Sequence, residues 1–336
     1  MYPYLICNRC NTLRLEHTKC IRTSCDFESY RNAVWEYFGR RFVYPRYPLT
    51  LTGASNAGKT VYLITLINQL LTNKIVKAKL LEYGIKDIKM IDPISLEEYK
   101  RIRQAFSKGK LEFTKQDEPL SFFSLFFFPV TGKIFEVVLY NNSGEKIQEK
   151  SEFNTIDLVK DHELLGSATL HFIDPREDSL LNKKLIKPKD ISKFGLCHDY
   201  DIVSAINDSM QRINRGVKLV NNPIGICISK FDLLNHLIPS ELPEYHNFDA
   251  SPDIFNDIDA LSKELYQFLV YNSATINPDE LQDRYENIRY FPVAPTGNDR
   301  MPATSENNMP RGVLAPFLWV LKELLTLPKY NNGTNR

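Results

Sequence analysis

The chain has 336 residues, of which 43% are hydrophobic, enough for one large domain with a small one or for two medium domains. Its formal net charge of +1 argues against a chain-wide basic surface for nucleic acid. The longest apolar run, residues 122–130, is too short to span a bilayer, and the N-terminus lacks the pattern of a secretion signal, so we expect a cytoplasmic protein without a membrane partner.

Four of the six cysteines lie within the first 25 residues, as two short pairs separated by nine residues. The four are Cys7, Cys10, Cys20 and Cys25. Thiolates at this spacing suit a tetrahedral Zn²⁺ ion, and a segment this small would draw its folding energy from the metal. A redox pair or structural thiols are the alternatives. We predict a structural zinc site, with Zn²⁺ as a cofactor.

Residues 26–47 interleave aromatic and basic side chains. Such a stretch could stack on and pair with nucleic acid, and the N-terminal segment is the only place where we keep that partner open. The interpretation we favour is a connector packed against the next domain. The predicted boundaries are a zinc ribbon and connector over 1–47, a main domain over 48–328 and a disordered tail over 329–336.

Residues 53–60 read GASNAGKT, the G-x-x-x-x-G-K-T pattern of a phosphate-binding P-loop. Lys59 can reach the β- and γ-phosphates of a nucleotide, and Thr60 can offer its hydroxyl to Mg²⁺. The pattern follows a short alternating strand and precedes a helical stripe of apolar residues, the order that a P-loop requires. The alternative is an ordinary glycine-rich turn before a helix. The predicted nucleotide-binding residues of this motif are Gly53, Ser55, Asn56, Ala57, Gly58, Lys59 and Thr60.

Two strands rich in phenylalanine and valine, residues 120–130 and 134–140, enclose a T-G-K turn and predict a β-hairpin. A hairpin places one antiparallel strand on an otherwise parallel sheet. The other predicted elements are strands at 168–173, 224–228 and 288–293 and helices at 96–106, 199–215, 254–271 and 313–325. The expected fold is α/β, a P-loop domain with a mostly parallel sheet and one antiparallel hairpin strand.

The order of these elements resembles that of the translation-factor-like (TRAFAC) class of P-loop GTPases: a P-loop, a hairpin, a D-x-x-G-like turn, an N-K-x-D-like turn and a last strand with a small loop. The resemblance covers about residues 48–326. More narrowly, the chain resembles the second group of bacterial double-GTPase domains, which are predicted to act in conflict or defence systems and some of which carry an N-terminal zinc ribbon. The resemblance implies GTP or GDP and Mg²⁺ as ligands, and a protein partner that reads the nucleotide state.

The tetrapeptide S-K-F-D at residues 229–232 matches the guanine-reading turn of that class. By this resemblance, Asp232 would accept two hydrogen bonds from guanine, and the stem of Lys230 would lie along the base. Ser229 replaces the usual asparagine, which removes one amide contact and would cost about 1–2 kcal/mol of affinity or selectivity. Ala294 opens an A-P-T-G segment that resembles the last base-contacting loop.

The D-x-x-G-like turn departs from the pattern, because residues 141–144 read N-N-S-G. Asn141 has an amide where a carboxylate usually holds the water shell of Mg²⁺, so metal binding should weaken. Gly144 would donate its N–H to a γ-phosphate, and Glu145 stands where related proteins have a water-positioning glutamine. Asp174, at the end of the neighbouring strand, is either a substitute charge or, as we favour, an ordinary turn residue.

The switch threonine that closes over Mg²⁺ should precede the hairpin, and Thr114 is the best-placed candidate. Thr114 and Glu145 are therefore the candidate catalytic residues. Three hypotheses follow: a GTP-binding switch with slow hydrolysis, a pseudo-GTPase interaction module, or an ATPase or kinase that happens to contain S-K-x-D. The hairpin and the lack of a convincing adenine site argue against the third. The sequence leaves the oligomeric state and the identity of the partner open.

Overall fold

The computed structural model describes eleven segments of the chain, and every structural statement below concerns them. They are residues 5–6, 13–14, 27–39, 44–53, 57–108, 121–141, 168–185, 222–237, 254–274, 276–296 and 310–326. The predicted helix at 199–215 and the predicted tail at 329–336 lie outside them.

The strands are β1 (Leu5–Ile6), β2 (Leu13–Arg14), β3 (Arg46–Gly53), β4 (Ile85–Lys89), β5 (Ser121–Pro129), β6 (Phe135–Asn141), β7 (Ala168–Ile173), β8 (Ile224–Ile228) and β9 (Ile288–Pro292). The helices are α1 (Phe27–Phe38), α2 (Lys59–Thr72), α3 (Lys74–Glu82), α4 (Pro93–Ser107), α5 (Ser179–Lys184), α6 (Ile254–Asn272), α7 (Pro278–Arg284) and α8 (Leu314–Thr326), with a 3-10 helix at Phe231–Leu237.

A seven-stranded sheet in the order β4-β5-β6-β3-β7-β8-β9 forms the centre of the fold. Strands β6, β3, β7, β8 and β9 are mutually parallel. Strand β5 runs antiparallel to both of its neighbours, β4 and β6. The predicted α/β fold, with a mostly parallel sheet and an antiparallel hairpin strand, is confirmed. The carboxyl ends of the five parallel strands share one edge of the sheet, the edge at which open α/β sheets bind ligands.

Strand β4 is an edge strand of this sheet, and the sequence analysis did not predict it. It pairs with β5 through an irregular register between Ile85 and Asp87. Because of this bulge, Ile85 and Ile88 are both buried although they are three positions apart. The strict alternation that indicates a strand is therefore lost from the sequence at this point.

Helices cover both faces of the sheet. On one face, Tyr62 of α2 packs against Phe172 of β7, with ring centroids 4.8 Å apart. On the opposite face, Tyr266 of α6 packs against Tyr290 of β9 at 6.0 Å. All residues of β6, β7 and β8 are buried, which explains their nearly continuous apolar sequences. Each large apolar side chain buried in this way contributes about 2 kcal/mol to stability.

Helix α1 is joined to the sheet by a buried polar cluster around Glu136 of β6. The Glu136 carboxylate accepts hydrogen bonds from Tyr30 of α1 at 2.9 Å and from Ser124 of β5 at 2.5 Å, and lies 3.1 Å from Nε of Arg46. Burial raises the pKa of Glu136, and the Arg46 charge and the two hydrogen bonds only partly offset that rise. Helix α1, the described helix of the aromatic and basic segment, therefore packs against the main sheet, as a connector would, while the domain boundaries stay a prediction.

Candidate functional site

The carboxyl-end edge of the sheet brings the predicted motifs together. The P-loop follows β3, Asn141 is the last residue of β6, Ser229 directly follows β8, and Ala294 comes two residues after the end of β9. These four strands are parallel, so the residues that follow them lie along the same edge although they are far apart in the chain.

Two glycines of the P-loop have positive φ angles, a conformation that residues with a side chain rarely adopt. Gly53 has φ +127°, and a Cβ placed on it would lie 2.2 Å from the backbone oxygen of Phe172. Gly58 has φ +87° and forms the N-cap of α2. The spacing of the motif therefore follows from the backbone geometry. Ser55 and Asn56, also predicted to belong to the loop, lie outside the described residues.

Lys59 and Thr60 are the first two residues of α2. The Lys59 ammonium donates a hydrogen bond to the Gly53 carbonyl oxygen at 2.7 Å, and the residue is only 7% exposed. This bond joins the end of the loop to its beginning. No acidic residue occupies the first turn of α2, so the lysine charge and the helix dipole together favour an anion at this point. Ala57, just before the helix, is fully buried.

A buried histidine lies beside the strand that carries the P-loop. Nδ1 of His171 in β7 is 3.0 Å from Oγ1 of Thr52 in β3, and Nε2 has no hydrogen-bond partner in the described part of the chain. Burial, assisted by the charge of Lys59, lowers the pKa of His171 to about 3, so the ring is neutral at pH 7. Sequence reasoning missed this residue, because only the register of β3 and β7 places it opposite Thr52.

Asn141 contacts the hydroxyl that is predicted to bind Mg²⁺. Its Nδ2 donates to Oγ1 of Thr60 at 3.0 Å, the residue is 3% exposed, and Oδ1 has no hydrogen-bond partner among the described residues. Mg²⁺ binds hydroxyl and amide oxygens, so the oxygens of Thr60 and Asn141 are suitable ligands for the ion. Both ligands are uncharged. Gly144, Glu145 and Thr114 lie outside the described residues, and their assigned roles stay predictions.

The S-K-x-D turn lies against the P-loop. Cβ of Ser229 is 3.8 Å from the position that a Cβ on Gly58 would take. The Ser229 N–H and hydroxyl donate to the Ile173 carbonyl oxygen at 2.8 and 2.9 Å, which anchors the turn to β7. Lys230 has φ +49°, a left-handed conformation that residues with a side chain rarely adopt.

Burial and the charges of three basic side chains act on the pKa of Asp232 in opposite directions. Burial raises the pKa of Asp232, and the charges of Arg311, Lys230 and Arg176 oppose that rise. Arg311 is held in place by two backbone hydrogen bonds of 2.9 Å to Ala294, so the amide N–H of Ala294 is already bonded and a base contact there must use other atoms. Sequence reasoning missed Arg176 and Arg311, because isolated arginines in loops form no pattern.

Asp174 follows β7 and is fully buried. Its carboxylate accepts the Nε and Nη2 groups of Arg176 at 2.6–3.1 Å, and it also accepts the ammonium of Lys230. The Arg176 backbone N–H donates to the same carboxylate at 3.0 Å, as expected of the turn residue that we favoured. The pairing with Lys230 was not foreseen.

The predicted zinc ligands Cys7, Cys10, Cys20 and Cys25 lie outside the described residues. Within the described segments, no group of three or more histidine, cysteine, aspartate or glutamate side chains could hold a metal ion. Among the helices of these segments, none combines the length and the apolar character that crossing a membrane requires.

No protein-family model matches the sequence, and no curated protein matches it significantly. Among solved structures, the signal recognition particle receptor SRb-GTP/SRX complex from Chaetomium thermophilum is 12% identical with a TM-score of 0.35, over 84% of this chain and 98% of that one. The GTP-bound GTPase-like domain of S. cerevisiae Ski7 is 13% identical with a TM-score of 0.40, over 91% and 54% of the two chains.

A third structure, the GDP-bound Roco2 RocCORdC of Methanosarcina barkeri, is 13% identical with a TM-score of 0.33, over 83% of this chain and 49% of that one. This chain spans about half the length of the Ski7 and Roco2 chains. Likenesses at this level carry no conclusion about the ligand of this protein. The topology of the sheet and the residues along its carboxyl-end edge carry the functional argument.

Proposed function

We propose that the chain is a guanine-nucleotide-binding switch protein of the P-loop GTPase type, with slow intrinsic hydrolysis of GTP to GDP and phosphate. The observation that carries this proposal is the proximity of two motifs, because Cβ of Ser229 in the S-K-x-D turn is 3.8 Å from the position that a Cβ on Gly58 of the P-loop would take. A P-loop alone would accept any nucleoside triphosphate. An aspartate-bearing turn beside it adds recognition of the base.

We propose a role for each part of this edge of the sheet. The phosphates would lie against Lys59 and the N-terminus of α2, and the base would lie between Lys230 and Asp232. Thr60, with the amide of Asn141, would hold Mg²⁺, which neutralises phosphate charge when bound. Gly144 is proposed to contact the γ-phosphate, while Glu145 and Thr114 are proposed to act on the attacking water and the metal.

The second candidate is a pseudo-GTPase, an interaction module with little or no hydrolysis. The observation that favours it is the neutral Asn141 on Thr60, where a carboxylate would strengthen the metal site. The Ser229 hydroxyl also donates its hydrogen bond to the Ile173 carbonyl oxygen, where the usual asparagine would contact the nucleotide site. A steady-state hydrolysis assay with purified protein separates the two candidates.

Further proposals rest mainly on the resemblance described above. They are a zinc ribbon and connector over 1–47 attached to a nucleotide-binding domain over 48–328, membership in the second double-GTPase group, a role in bacterial defence, a cytoplasmic location and a protein partner that reads the nucleotide state. The antiparallel pair β1–β2 supports the ribbon, since Cys7 and Cys10 fall between its strands in the sequence.

Competition for a fluorescent GTP analogue tests the proposed function. GTP and GDP should compete at concentrations about a hundredfold below those of ATP, because adenine leaves the Asp232 carboxylate unpaired. Asp232→Ala should erase this preference, and Asp259→Ala, which removes an exposed carboxylate bonded to Arg289, should not. Lys59→Ala should abolish triphosphate binding.

Two outcomes would overturn the proposal. Equal affinity for ATP and GTP in the wild-type protein would show that no site selects guanine. Unchanged GTP affinity in folded Lys59→Ala protein would show that the P-loop does not bind the nucleotide.

A further inference from the structure

The end of β7 supports the S-K-x-D turn that is proposed to read the base. This end of β7 belongs neither to that turn nor to the P-loop. Ser229 donates twice to the Ile173 carbonyl oxygen, and Lys230 donates to the carboxylate of the next residue, Asp174. The consecutive residues Ile173 and Asp174 therefore hold the consecutive residues Ser229 and Lys230.

We propose that Asp174 is a positioning residue of the nucleotide site, which holds the Lys230 ammonium so that the lysine stem forms one wall of the guanine pocket. The inference rests on the proposed function and deepens it, because it names a determinant of base binding outside the S-K-x-D motif. Asp174 itself need not touch the nucleotide.

The backbone of Lys230 shows why an anchor is needed. Its φ of +49° is sparsely populated for a residue with a side chain and persists only when the surroundings determine it. The Leu233 N–H donates to the Lys230 carbonyl oxygen at 3.0 Å, which fixes the backbone of the turn. The ammonium end is fixed by Asp174, so that both ends of the residue are held.

Asp174 is itself held rigidly. Besides the bonds from the Arg176 side chain, its carbonyl oxygen accepts the N–H of Glu177 at 2.9 Å, which closes a turn after β7. Burial alone would raise the pKa of Asp174, but the Arg176 hydrogen bonds and the Lys230 charge outweigh it and keep the pKa below its usual value. The carboxylate is therefore charged at neutral pH and able to hold a cation.

The two cations that share Asp174 repel one another. Burial lowers the pKa of Lys230, and the charge of Arg176 lowers it further, while Asp174 opposes both effects. If the carboxylate were neutral, the repulsion between Arg176 and Lys230 would lose the charge that offsets it, and the ammonium would be held less firmly at this position. The stem of Lys230 would then be positioned less firmly at the wall of the proposed pocket.

Asp174→Asn, measured with two probes, tests the inference. The Kd for GTP should rise about tenfold, the size of one lost charge-assisted hydrogen bond, while the Kd for inorganic tripolyphosphate should stay within about twofold. Asp178→Asn is the matched control, because Asp178 is equally buried but caps α5 and binds Ser273. It should lower thermal stability and leave the ratio of the two Kd values unchanged.

A double-mutant cycle with Lys230→Met separates positioning from a general effect on the fold. Lys230→Met alone should raise the Kd for GTP by a similar factor, and adding Asp174→Asn should then have no further effect. The inference is overturned if Asp174→Asn raises the Kd values for GTP and tripolyphosphate equally. It is also overturned if Asp174→Asn raises the Kd for GTP as strongly in Lys230→Met protein as in the wild-type protein. A wild-type protein without preference for GTP over ATP would overturn the proposed function instead, so the two failures are distinguishable.

Discussion

Nδ2 of Asn141 donates a 3.0 Å hydrogen bond to Oγ1 of Thr60, joining the end of β6 to the start of α2. The alignment of residues 141–144 with a D-x-x-G turn requires this contact, since such a turn should face the hydroxyl that is proposed to bind Mg²⁺. The side chain that arrives there is neutral. A neutral ligand weakens the proposed metal site under both candidate functions, which differ in whether a stronger site would also raise hydrolysis.

Asn141→Asp should tighten Mg²⁺-dependent GTP binding, because a carboxylate would add a full negative charge beside the ion. Such interactions are worth on the order of a few kcal/mol at an effective dielectric of about 20, before solvent screening. The measurement is GTP affinity across a magnesium titration. Asn68→Asp is the control, since it adds the same charge further along α2, where Asn68 accepts a hydrogen bond from Tyr99.

Turnover in the same variant separates the candidates. A slow GTPase should gain both magnesium affinity and hydrolysis rate, whereas a pseudo-GTPase should gain affinity alone. If the magnesium dependence is unchanged, Asn141 does not face the metal and the alignment of residues 141–144 is wrong.

His171 should make the protein less stable in mild acid. Its pKa of about 3 in the fold lies below the ordinary value of 6.5, so the unfolded chain binds the proton first as the pH falls. The stabilisation is complete above about pH 6.5 and is lost progressively toward pH 3, on the order of 5 kcal/mol in total. Denaturant unfolding of wild-type and His171→Gln protein between pH 7 and about pH 4.5 measures it.

The difference in unfolding free energy between these two proteins should shrink by about 1.4 kcal/mol per pH unit. Thr52→Val is the control, because it removes the hydroxyl beside Nδ1 but keeps the titrating ring. A difference that stays constant with pH would show that His171 does not titrate as its burial implies.

Glu136→Gln should destabilise the fold by about 3 kcal/mol, because it leaves the partly buried Arg46 without its partner charge. Glu98→Gln should cost less than about 1 kcal/mol, since its partner Arg101 is mostly exposed. Chemical denaturation monitored by circular dichroism compares the two variants. Similar small losses for both would mean that the Glu136 cluster does not hold α1 to the sheet.

One Zn²⁺ per chain is expected in protein purified without chelator. Elemental analysis measures it directly, and the double substitution Cys7→Ser with Cys10→Ser should remove the metal while sparing nucleotide binding. Cys227→Ser is the control, since this thiol is buried in β8. Absence of zinc from the wild-type protein would contradict the prediction.

Several elements could be located from the sequence because their causes are local. Strands β7 and β8 have the predicted bounds, since both are short apolar runs between polar turns. Helix α5 was missed within a stretch that looks like a solvated lysine-rich loop; there the side chain of Asp178 caps the helix and also bonds Ser273, far along the chain. Strand β4 was missed because its bulge hides the alternation.

The sequence by itself determined the local chemistry of the site. Gly53 and Gly58 mark the P-loop because the backbone there is left-handed, and such positions strongly favour glycine. Only the tertiary structure decided which side chains meet. The strand order sets Ser229 against Gly58, Asn141 on Thr60 and Asp174 on Lys230. These contacts depend on which parallel strands are neighbours, and hydrophobic periodicity specifies that a strand is buried without specifying beside which other strand it lies.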